Sequence, residues 1–272
     1  MDKEVIALDL GGTNLRAALV KNGKIIKYIK KDTPKTKQAL ISEIVDSIER
    51  VMSSKVKGIG VGSAGPLDKG IIKNPPNLPL RNFNLQRFLE NKFRKKVVIE
   101  NDANCVALAE AKFGAKKKNF FILTIGTGVG GGVIINGELY RGEGYAGELG
   151  HIIIDNGKDL ENLVARKRQA FLTKKYFGKE LMVKDLIKMN NPNARKILNE
   201  LFSYLGMGIA SLINVFDPEV VVLGGGFRDA GKPCLDMIKK QVRKYSIIPR
   251  IPEIKFTKLE HPGIIGASLL ID

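Results

Sequence analysis

The sequence predicts an α/β fold with two domains built on one plan. Apolar strand-like runs alternate with helical stretches along the chain, and a hairpin pattern with a glycine turn occurs twice. The 272 residues suffice for one large domain or two modest ones with a substantial core. No uninterrupted apolar stretch reaches about 18 residues, so the sequence predicts no membrane span.

The first hairpin pattern begins near the N-terminus. A glycine pair, Gly11-Gly12, separates the first two strand-like runs, and Asn22-Gly23 follows the second. An Asn-Gly pair between two such runs favours a tight hairpin turn. Three successive strands are therefore expected, at residues 5–10, 15–20 and 24–29.

A similar pattern returns in the middle of the chain. A strand-like run at residues 120–125 leads into a glycine-rich stretch at residues 126–132, and Asn136-Gly137 lies between two further short runs. The two segments align with a one-residue shift, which indicates an internal duplication. The two further runs are residues 133–135 and 138–140.

The remaining segments alternate in type. Residues 62–84, rich in glycine, proline and asparagine, predict a long loop, and the run at residues 220–223 predicts a buried strand that ends in three glycines. Further strands are expected at residues 56–61 and 97–100. Helices are expected at residues 38–52, 85–93, 103–113, 160–176, 194–216 and 235–244.

Composition limits the classes of function. Hydrophobic residues make up 44% and charged residues 27%, as in ordinary globular proteins. The net charge of +17 attracts polyanions, so a lysine-rich solvated surface, a nucleotide substrate and nucleic acid are all compatible with it. The basic residues are scattered and do not alternate with aromatic ones, which disfavours nucleic-acid binding.

Two cysteines cannot form a disulfide framework, and the absence of a signal-peptide pattern predicts a cytoplasmic location.

The glycine spacing at two places fits a dinucleotide-binding fingerprint, at residues 60–65 and 126–131. That fingerprint requires a helix directly after the glycines, whereas a hairpin follows one match and a Pro-Leu-Asp turn follows the other. The sequence therefore disfavours a nicotinamide site, and it contains no Walker motif. A glycine hairpin can still bind phosphate through backbone N–H groups, although two plain turns without a ligand fit the spacing as well.

Three positions carry candidate chemistry, each with an ordinary structural alternative. Asp9 lies in an apolar strand, where either an ion pair with Arg16 or a bound Mg²⁺ would balance its charge. Asp102 ends a strand and begins a helix, so it is either a site residue or a helix cap. Glu148 and His151 stand three residues apart and either face one site or form an ordinary hydrogen-bonded pair.

Seven short segments follow one another along the chain, at residues 9–16, 60–66, 77–79, 101–104, 126–132, 147–151 and 223–226. In this order they resemble the motifs of the ROK family of sugar kinases and repressors. The resemblance runs over nearly the whole chain, and the order of the motifs makes it specific.

The resemblance implies an actin-like (ribonuclease H-like) duplicated α/β fold, with two domains around a central cleft. A smaller domain would contain residues 1–103 and 261–272, and a larger one residues 104–260. It also implies a glucokinase-like enzyme that phosphorylates a hexose hydroxyl with Mg²⁺ and ATP, in a homo-oligomer (dimer or tetramer) without nucleic-acid or membrane partners. An N-acetylhexosamine kinase, for N-acetylglucosamine or N-acetylmannosamine, and a non-catalytic sugar-responsive regulator are the alternatives.

The resemblance also assigns residues. Asp102 would be the general base, and Asp9 would act on Mg²⁺ through water. The hexose would be bound by Gly65, Asn77, Asn101, Glu148, His151 and Glu161. ATP would be bound by Asp9, Gly11, Gly12, Thr13, Asn14, Arg16, Gly126, Thr127, Gly128, Gly130, Gly224 and Gly225.

Three features depart from the family pattern. Members commonly carry a zinc loop with three cysteines after the motif histidine, but nine residues without cysteine separate His151 from Glu161 here. We therefore expect no zinc site, and the matching of Glu161 is less direct. Ala64 replaces a usual proline. Family repressors carry an N-terminal helix-turn-helix, whereas this sequence starts on the first kinase strand, which favours the kinase.

Overall fold

The computed structural model describes residues 3–75 and 77–271, so Met1, Asp2, Pro76 and Asp272 lie outside the description. The strands are β1 Glu4–Leu10, β2 Asn14–Lys21, β3 Lys24–Asp32, β4 Val56–Ser63, β5 Leu67–Asp68, β6 Ile71–Ile72, β7 Phe83–Asn84, β8 Lys96–Asn101, β9 Phe120–Ile125, β10 Val129–Ile135, β11 Glu138–Leu139, β12 Ile153–Asp155, β13 Lys158–Asp159, β14 Val220–Gly225 and β15 Glu253–Phe256. The α-helices are α1 Lys37–Val51, α2 Leu85–Phe93, α3 Asp102–Lys112, α4 Leu160–Val164, α5 Arg166–Phe177, α6 Val183–Lys188, α7 Pro192–Phe216, α8 Gly231–Tyr245 and α9 Pro262–Ser268. Two short 3₁₀ helices are Leu149–His151 and Gly226–Ala230.

The chain divides into two compact units. The first contains Met1–Gly114, Arg141–Ala146 and Leu259–Asp272, and the second contains Ala115–Tyr140 and Gly147–Lys258. The boundary expected between residues 103 and 104 falls inside helix α3, which belongs to the first unit as a whole. Helix α3 packs on α9 of the same unit. No local sequence pattern predicts this tertiary contact.

Each unit contains a five-stranded mixed sheet, and the two sheets have the same topology. Their strand orders are β3-β2-β1-β4-β8 and β11-β10-β9-β14-β15. In both, a three-stranded antiparallel meander continues into two strands that run parallel to its first strand. The duplication predicted from the two hairpins is therefore confirmed, and so is the α/β class.

In the first unit, the sheet is covered on both faces. Ile6, Leu8 and Leu10 alternate along β1 and pack with the apolar face of α1, as the period of two in a strand requires. The intervening Ala7 faces the other way and packs with Ala267 of α9. Small residues on that face let the helix backbone come close to the sheet.

The core of the second unit forms around the long helix α7. Asn191 caps this helix by accepting hydrogen bonds from the backbone N–H groups of its first turn, and Pro192 occupies the first helical position, where no intrahelical N–H bond is lost. Its buried side chains, among them Phe202 and Ile209, pack against Leu123 and Leu223 of the sheet.

Several local predictions differ from the structure. The single helix expected at residues 160–176 is two helices, because Ala165 is extended and the N–H of Arg166 donates to the carbonyl of Gly126 instead. The loop expected at residues 62–84 contains the small sheet β5-β6-β7. Helices α6 and α9 and strands β12, β13 and β15 were not predicted. Within the described ranges, no helix is long and apolar enough to cross a membrane.

Candidate active site

Three motif segments of the first unit lie side by side at one edge of its sheet. Strands β1, β4 and β8 run parallel, and their last residues are in register, Leu10 opposite Ser63 and Ser63 opposite Asn101. The glycine turn, the segment after β4 and the start of helix α3 therefore all emerge at the carboxyl edge of the sheet. Ligands of open α/β sheets bind at this edge.

The turn between β1 and β2 holds its carbonyl groups on one side. The Thr33 hydroxyl donates to the Gly11 carbonyl at 2.7 Å, and the Thr33 N–H donates to the Thr13 carbonyl at 3.0 Å. Lys35 Nζ donates to the Gly12 carbonyl at 3.2 Å. Because N–H and C=O point in opposite directions across a trans peptide, the N–H groups of Gly12, Thr13 and Asn14 point away from these donors. Such a row of N–H groups is suited to binding a phosphate.

Asp9 forms the ion pair that was one of its two predicted roles. Arg16 Nη1 lies 2.8 Å from Asp9 Oδ2, and the two residues are directly opposite each other in the β1–β2 ladder. Burial raises the pKa of the Asp9 carboxyl above its ordinary value, and the positive charges of Arg16 and His261 oppose that rise. The predicted contact of Asp9 with Mg²⁺ through water stays a prediction.

Asn101, and not Asp102, is the cap of helix α3. Asn101 Oδ1 accepts hydrogen bonds from the N–H groups of Ala103 and Asn104 at 2.9 and 3.2 Å. Asp102 is the first helical residue, and its carboxylate also accepts from the N–H of Ala103 at 2.9 Å. The side-chain nitrogen of Asn101 is thus the group of that residue suited to donate to a ligand, and Asp102 is not used as the helix cap.

Close packing at Gly65 and at Asn77 leaves no room for an added side chain. Gly65 has a φ of +92° and a Cβ there would come within 2.8 Å of Pro75, so a side chain would be strained. Asn77 packs directly on Gly12, where a Cβ would overlap the Asn77 side chain. The predicted hexose residue Asn77 is therefore in contact with the predicted phosphate turn.

In the second unit, the turn Gly126-Thr127-Gly128 and the pair Gly224-Gly225 lie at adjacent strand ends. Strands β9 and β14 are parallel, and Gly225 lies opposite Ile125. Gly225 has a φ of +80°, and a Cβ there would overlap the Ile125 carbonyl. The structure thus brings the predicted triphosphate and adenosine motifs of this unit together. Gly130 lies within strand β10, opposite Thr124, and not in the turn.

The segment at residues 147–151 packs closely on β10. A Cβ on Gly150 would overlap the carbonyl of Val129, and one on Gly131 would lie 2.5 Å from the carbonyl of Gly147. Glycine at both positions allows the two backbones to approach closely, so packing alone explains why these residues are glycine. Their effect is to hold Glu148 and His151 beside the glycine hairpin.

Among the described residues, the carboxylates of Asp159 and Glu148 lie within 4.0 Å of the His151 imidazole. Its Nδ1 lies 3.0 Å from Asp159 Oδ2, and its Nε2 lies 4.0 Å from Glu148 Oε2. The hydrogen bond with Asp159 raises the pKa of the imidazole above its ordinary value, against the effect of partial burial, and the charges of Glu161, Asp159 and Glu148 act in the same direction as the hydrogen bond.

Glu161 is oriented towards the hairpin. Its Oε2 accepts a hydrogen bond from the N–H of Val129 at 2.8 Å, and Gly128 leaves room for this carboxylate. The structure therefore places Glu161 next to the predicted phosphate turn, and its predicted role in hexose binding stays a prediction.

Sequence reasoning missed Glu100 and Arg141. Glu100 Oε1 accepts from the N–H of Asn101 at 2.8 Å and from Asn104 Nδ2 at 3.0 Å, and its Oε2 accepts from Arg141 Nε at 2.7 Å. Glu100 thereby orders the residues around Asp102. A carboxylate at the end of a strand-like run is a sequence signal for Glu100, whereas Arg141 is close only through the tertiary fold.

The profile of the ROK family matches residues 5–272. The chain belongs to the ROK family. A glucokinase of Thermotoga maritima is 31% identical, over 98% of this chain and 97% of the relative. The xylose repressor of Bacillus subtilis is 32% identical, over 90% of this chain and 70% of the repressor.

A solved ROK structure confirms the predicted actin-like duplicated fold. The ROK family glucokinase of Streptomyces griseus, solved with glucose and AMPPNP, superposes with a TM-score of 0.89 at 27% identity and covers 98% of this chain and 99% of its own. Where a ROK zinc loop would stand, the nine residues between His151 and Glu161 include the short hairpin β12–β13.

Proposed function

We propose that this ROK protein transfers the γ-phosphoryl group of ATP to a hydroxyl group of a hexose, with Asp102 as the general base. The observation that carries the proposal is the row of strand ends in the first unit, where the carboxylate of Asp102 and the glycine turn at residues 11–13 share one sheet edge. The ROK glucokinases that resemble the chain support the same reaction.

The chain's own groups account for most of what phosphoryl transfer needs, which is alignment and neutralisation of charge. Backbone N–H groups of the turns at residues 11–13 and 126–128 bind phosphate oxygens. The Asn101 amide donates to a hexose hydroxyl, and His151 and Glu148 bind a further hydroxyl. Asp102 orients the attacking hydroxyl and accepts its proton as the bond to phosphorus forms.

Magnesium is the cation that ATP would bring. Carboxylate oxygen is a suitable partner for Mg²⁺, and the ion keeps most of its water, so Asp9 fits as a water-mediated partner while it remains paired with Arg16. The bound ion would neutralise charge on the phosphate oxygens. Among the described residues, no cluster of three or more His, Cys, Asp or Glu that could hold a metal ion is present.

A non-catalytic, sugar-responsive regulator is the second candidate. The 32% identity to the Bacillus subtilis xylose repressor favours it, because ROK sequences of similar distance carry either role. Among kinase substrates, glucose is our first choice, and an N-acetylhexosamine is the alternative. The phosphoryl donor is ATP in our proposal, and other nucleoside triphosphates and polyphosphate belong in the same screen.

The test is release of ADP from ATP in the presence of glucose, mannose, fructose, N-acetylglucosamine or N-acetylmannosamine, each with and without Mg²⁺. We expect hexose-dependent release that requires Mg²⁺. Asp102→Asn should lower turnover by about 10²–10⁴-fold while hexose binding survives better, because a positioned base contributes about that factor.

Asp46→Asn is the matched control, since Asp46 forms an exposed ion pair with Arg50 within α1. Exposed pairs of this kind contribute little, so turnover should stay normal. Near-normal turnover of Asp102→Asn would contradict its role as base. Hexose binding without ADP release by the unmodified chain would instead support the regulator.

A further inference from the structure

A carboxylate that the sequence did not single out holds the imidazole of His151. Asp159 Oδ2 lies 3.0 Å from His151 Nδ1, and the Asp159 side chain is 15% exposed against 54% for His151. A carboxylate accepts hydrogen bonds and does not donate them, so Nδ1 must carry the proton. In the neutral ring this leaves Nε2 as an acceptor, and in the charged ring Nε2 is a donor.

Asp159 is itself fixed in place. It is the cap of helix α4, where its Oδ1 accepts from the backbone N–H and from Nδ2 of Asn162 at 2.7 and 2.6 Å. Asp159 also pairs with Ile153 in the β12–β13 hairpin, and the N–H of Leu160 donates to the carbonyl of Ile152 at 3.0 Å. One carboxylate oxygen thus bonds the helix, and the other bonds the histidine.

The geometry on the other side of the ring suits a hydroxyl group. His151 Nε2 and Glu148 Oε2 are 4.0 Å apart, which is too far for a direct hydrogen bond. A single hydroxyl oxygen can lie about 2.8 Å from both atoms, accepting from one and donating to the other. This arrangement requires the ring plane to stay where Asp159 holds it.

The same short helix also reaches the glycine hairpin. Glu161, two residues after Asp159, accepts from the N–H of Val129 at 2.8 Å. Helix α4 therefore fixes the histidine through its cap and the hairpin through its first turn.

We propose that Asp159 is a positioning residue that sets the tautomer and orientation of His151, so that His151 Nε2 and Glu148 together bind one hydroxyl of the hexose. The inference rests on the proposed function and deepens it. Asp159 itself does not contact the sugar, and its effect passes through the ring of His151.

The charged groups around His151 set its pH dependence. Asp159, Glu148 and Glu161 all face it and favour its charged form. Burial acts to raise the pKa of Asp159, but hydrogen bonds from His151 and Asn162 outweigh it and hold that pKa below its ordinary value. The stability from the raised pKa of His151 is present below its unfolded pKa and is lost as pH rises through the folded value. The stability from the lowered pKa of Asp159 is present above its unfolded pKa and is lost as pH falls through the folded value.

The first readout does not depend on activity. The chain has two histidines, so ¹⁵N-labelled histidine gives two ring systems, with His261 as the internal reference. In the unmodified chain we expect the Nδ1-protonated form of His151 and a pKa above its ordinary value. Asp159→Ala should lower that pKa, and Asp159→Asn, whose amide can donate to Nδ1, should shift the neutral ring to the Nε2-protonated form.

The second readout is kinetic. We expect Asp159→Ala and Asp159→Asn to raise the hexose KM by about 10–100-fold, the usual effect of losing a hydrogen bond to a charged group, with the ATP KM nearly unchanged. Asp155→Asn is the matched control on the same hairpin, because Asp155 accepts from the Tyr204 hydroxyl and not from His151. It should leave the hexose KM and the histidine titration unchanged.

The outcomes separate the two proposals. If no sugar supports ADP release, the proposed function fails while the histidine spectra still test the pairing. If the unmodified chain phosphorylates a hexose and both Asp159 variants keep its hexose KM, the positioning role is wrong. A His151 of ordinary pKa or of the Nε2-protonated form in the unmodified chain overturns it even if neither variant folds.

Discussion

The glycines of the two turns predicted to bind phosphate differ in their surroundings. Gly126 is exposed, and no other part of the described structure would lie within 4 Å of a Cβ there. A Cβ on Gly128 would overlap the Glu161 carboxylate, and one on Gly12 would overlap Asn77. The described structure gives no steric reason for glycine at position 126, whereas neighbouring side chains require glycine at positions 12 and 128. The predicted phosphate contact would supply a reason at Gly126.

Gly126→Ala should separate these reasons. We expect unchanged thermal stability and a rise of about tenfold or more in the ATP KM, because a methyl group would block close approach of a phosphate. Gly128→Ala, its matched comparison, should also lower the melting temperature, since Glu161 must move. Unchanged ATP KM in Gly126→Ala would place the nucleotide elsewhere.

The sequence left a functional and a structural role open at each of three positions: Asp9, Asp102 and the pair Glu148–His151. The structure identifies the contacts that each of them makes. Asp9 is paired with Arg16, and Asn101 caps the helix in place of Asp102. His151 bonds Asp159 more closely than Glu148. Sequence spacing could not decide these questions, because each depends on a partner or a backbone direction that only the fold supplies.

At the scale of elements, the packing of helix α9 on the first sheet depends on glycines at the contact points. A Cβ on Gly60 of β4 would overlap the carbonyl of Ala267, and one on Gly266 would overlap the carbonyl of Cys105 in α3. The backbones of a strand and two helices therefore meet at contact distance. This packing holds α3, and with it Asp102, against the end of the sheet.

The sign of the change in the free energy of unfolding caused by Gly266→Ala tests this packing. Helix propensity alone favours alanine by about 1 kcal/mol, whereas overpacking against a backbone carbonyl costs about 1–3 kcal/mol or more. We expect the steric cost to win and the free energy of unfolding to fall. Gly208→Ala in α7 is the control, because its Cβ would meet the tip of the Leu160 side chain at 2.9 Å, and that tip can move. A more stable Gly266→Ala variant would contradict the close packing.

At the scale of the whole molecule, each compact unit contains one buried cysteine. Cys105 lies in the first unit and Cys234 in the second, and both side chains are fully buried. Burial raises the pKa of the Cys105 thiol well above its ordinary value and that of Cys234 to about 12. Neither thiol is therefore ionised near neutral pH, and neither is reachable by a reagent.

The two thiols should therefore report unfolding of their own units. In the native protein at pH 8 we expect no reaction with an aromatic disulfide reagent over minutes, and full reaction of both thiols in denaturant. The variants Cys234→Ala and Cys105→Ala, each with one thiol left, assign the signal to a unit. Rapid reaction of a native single-cysteine variant would contradict the burial of that thiol.

The sequence by itself determined the α/β class, the duplicated hairpins, the family resemblance and the motifs at the strand ends, because strand periodicity and glycine turns are local properties. Tertiary structure decided the break at Ala165, the extent of α3 within its unit, and the contacts of Glu100 with Arg141 and of Asp159 with His151. These features arise between segments that approach each other only when the chain has packed, so no local pattern encodes them.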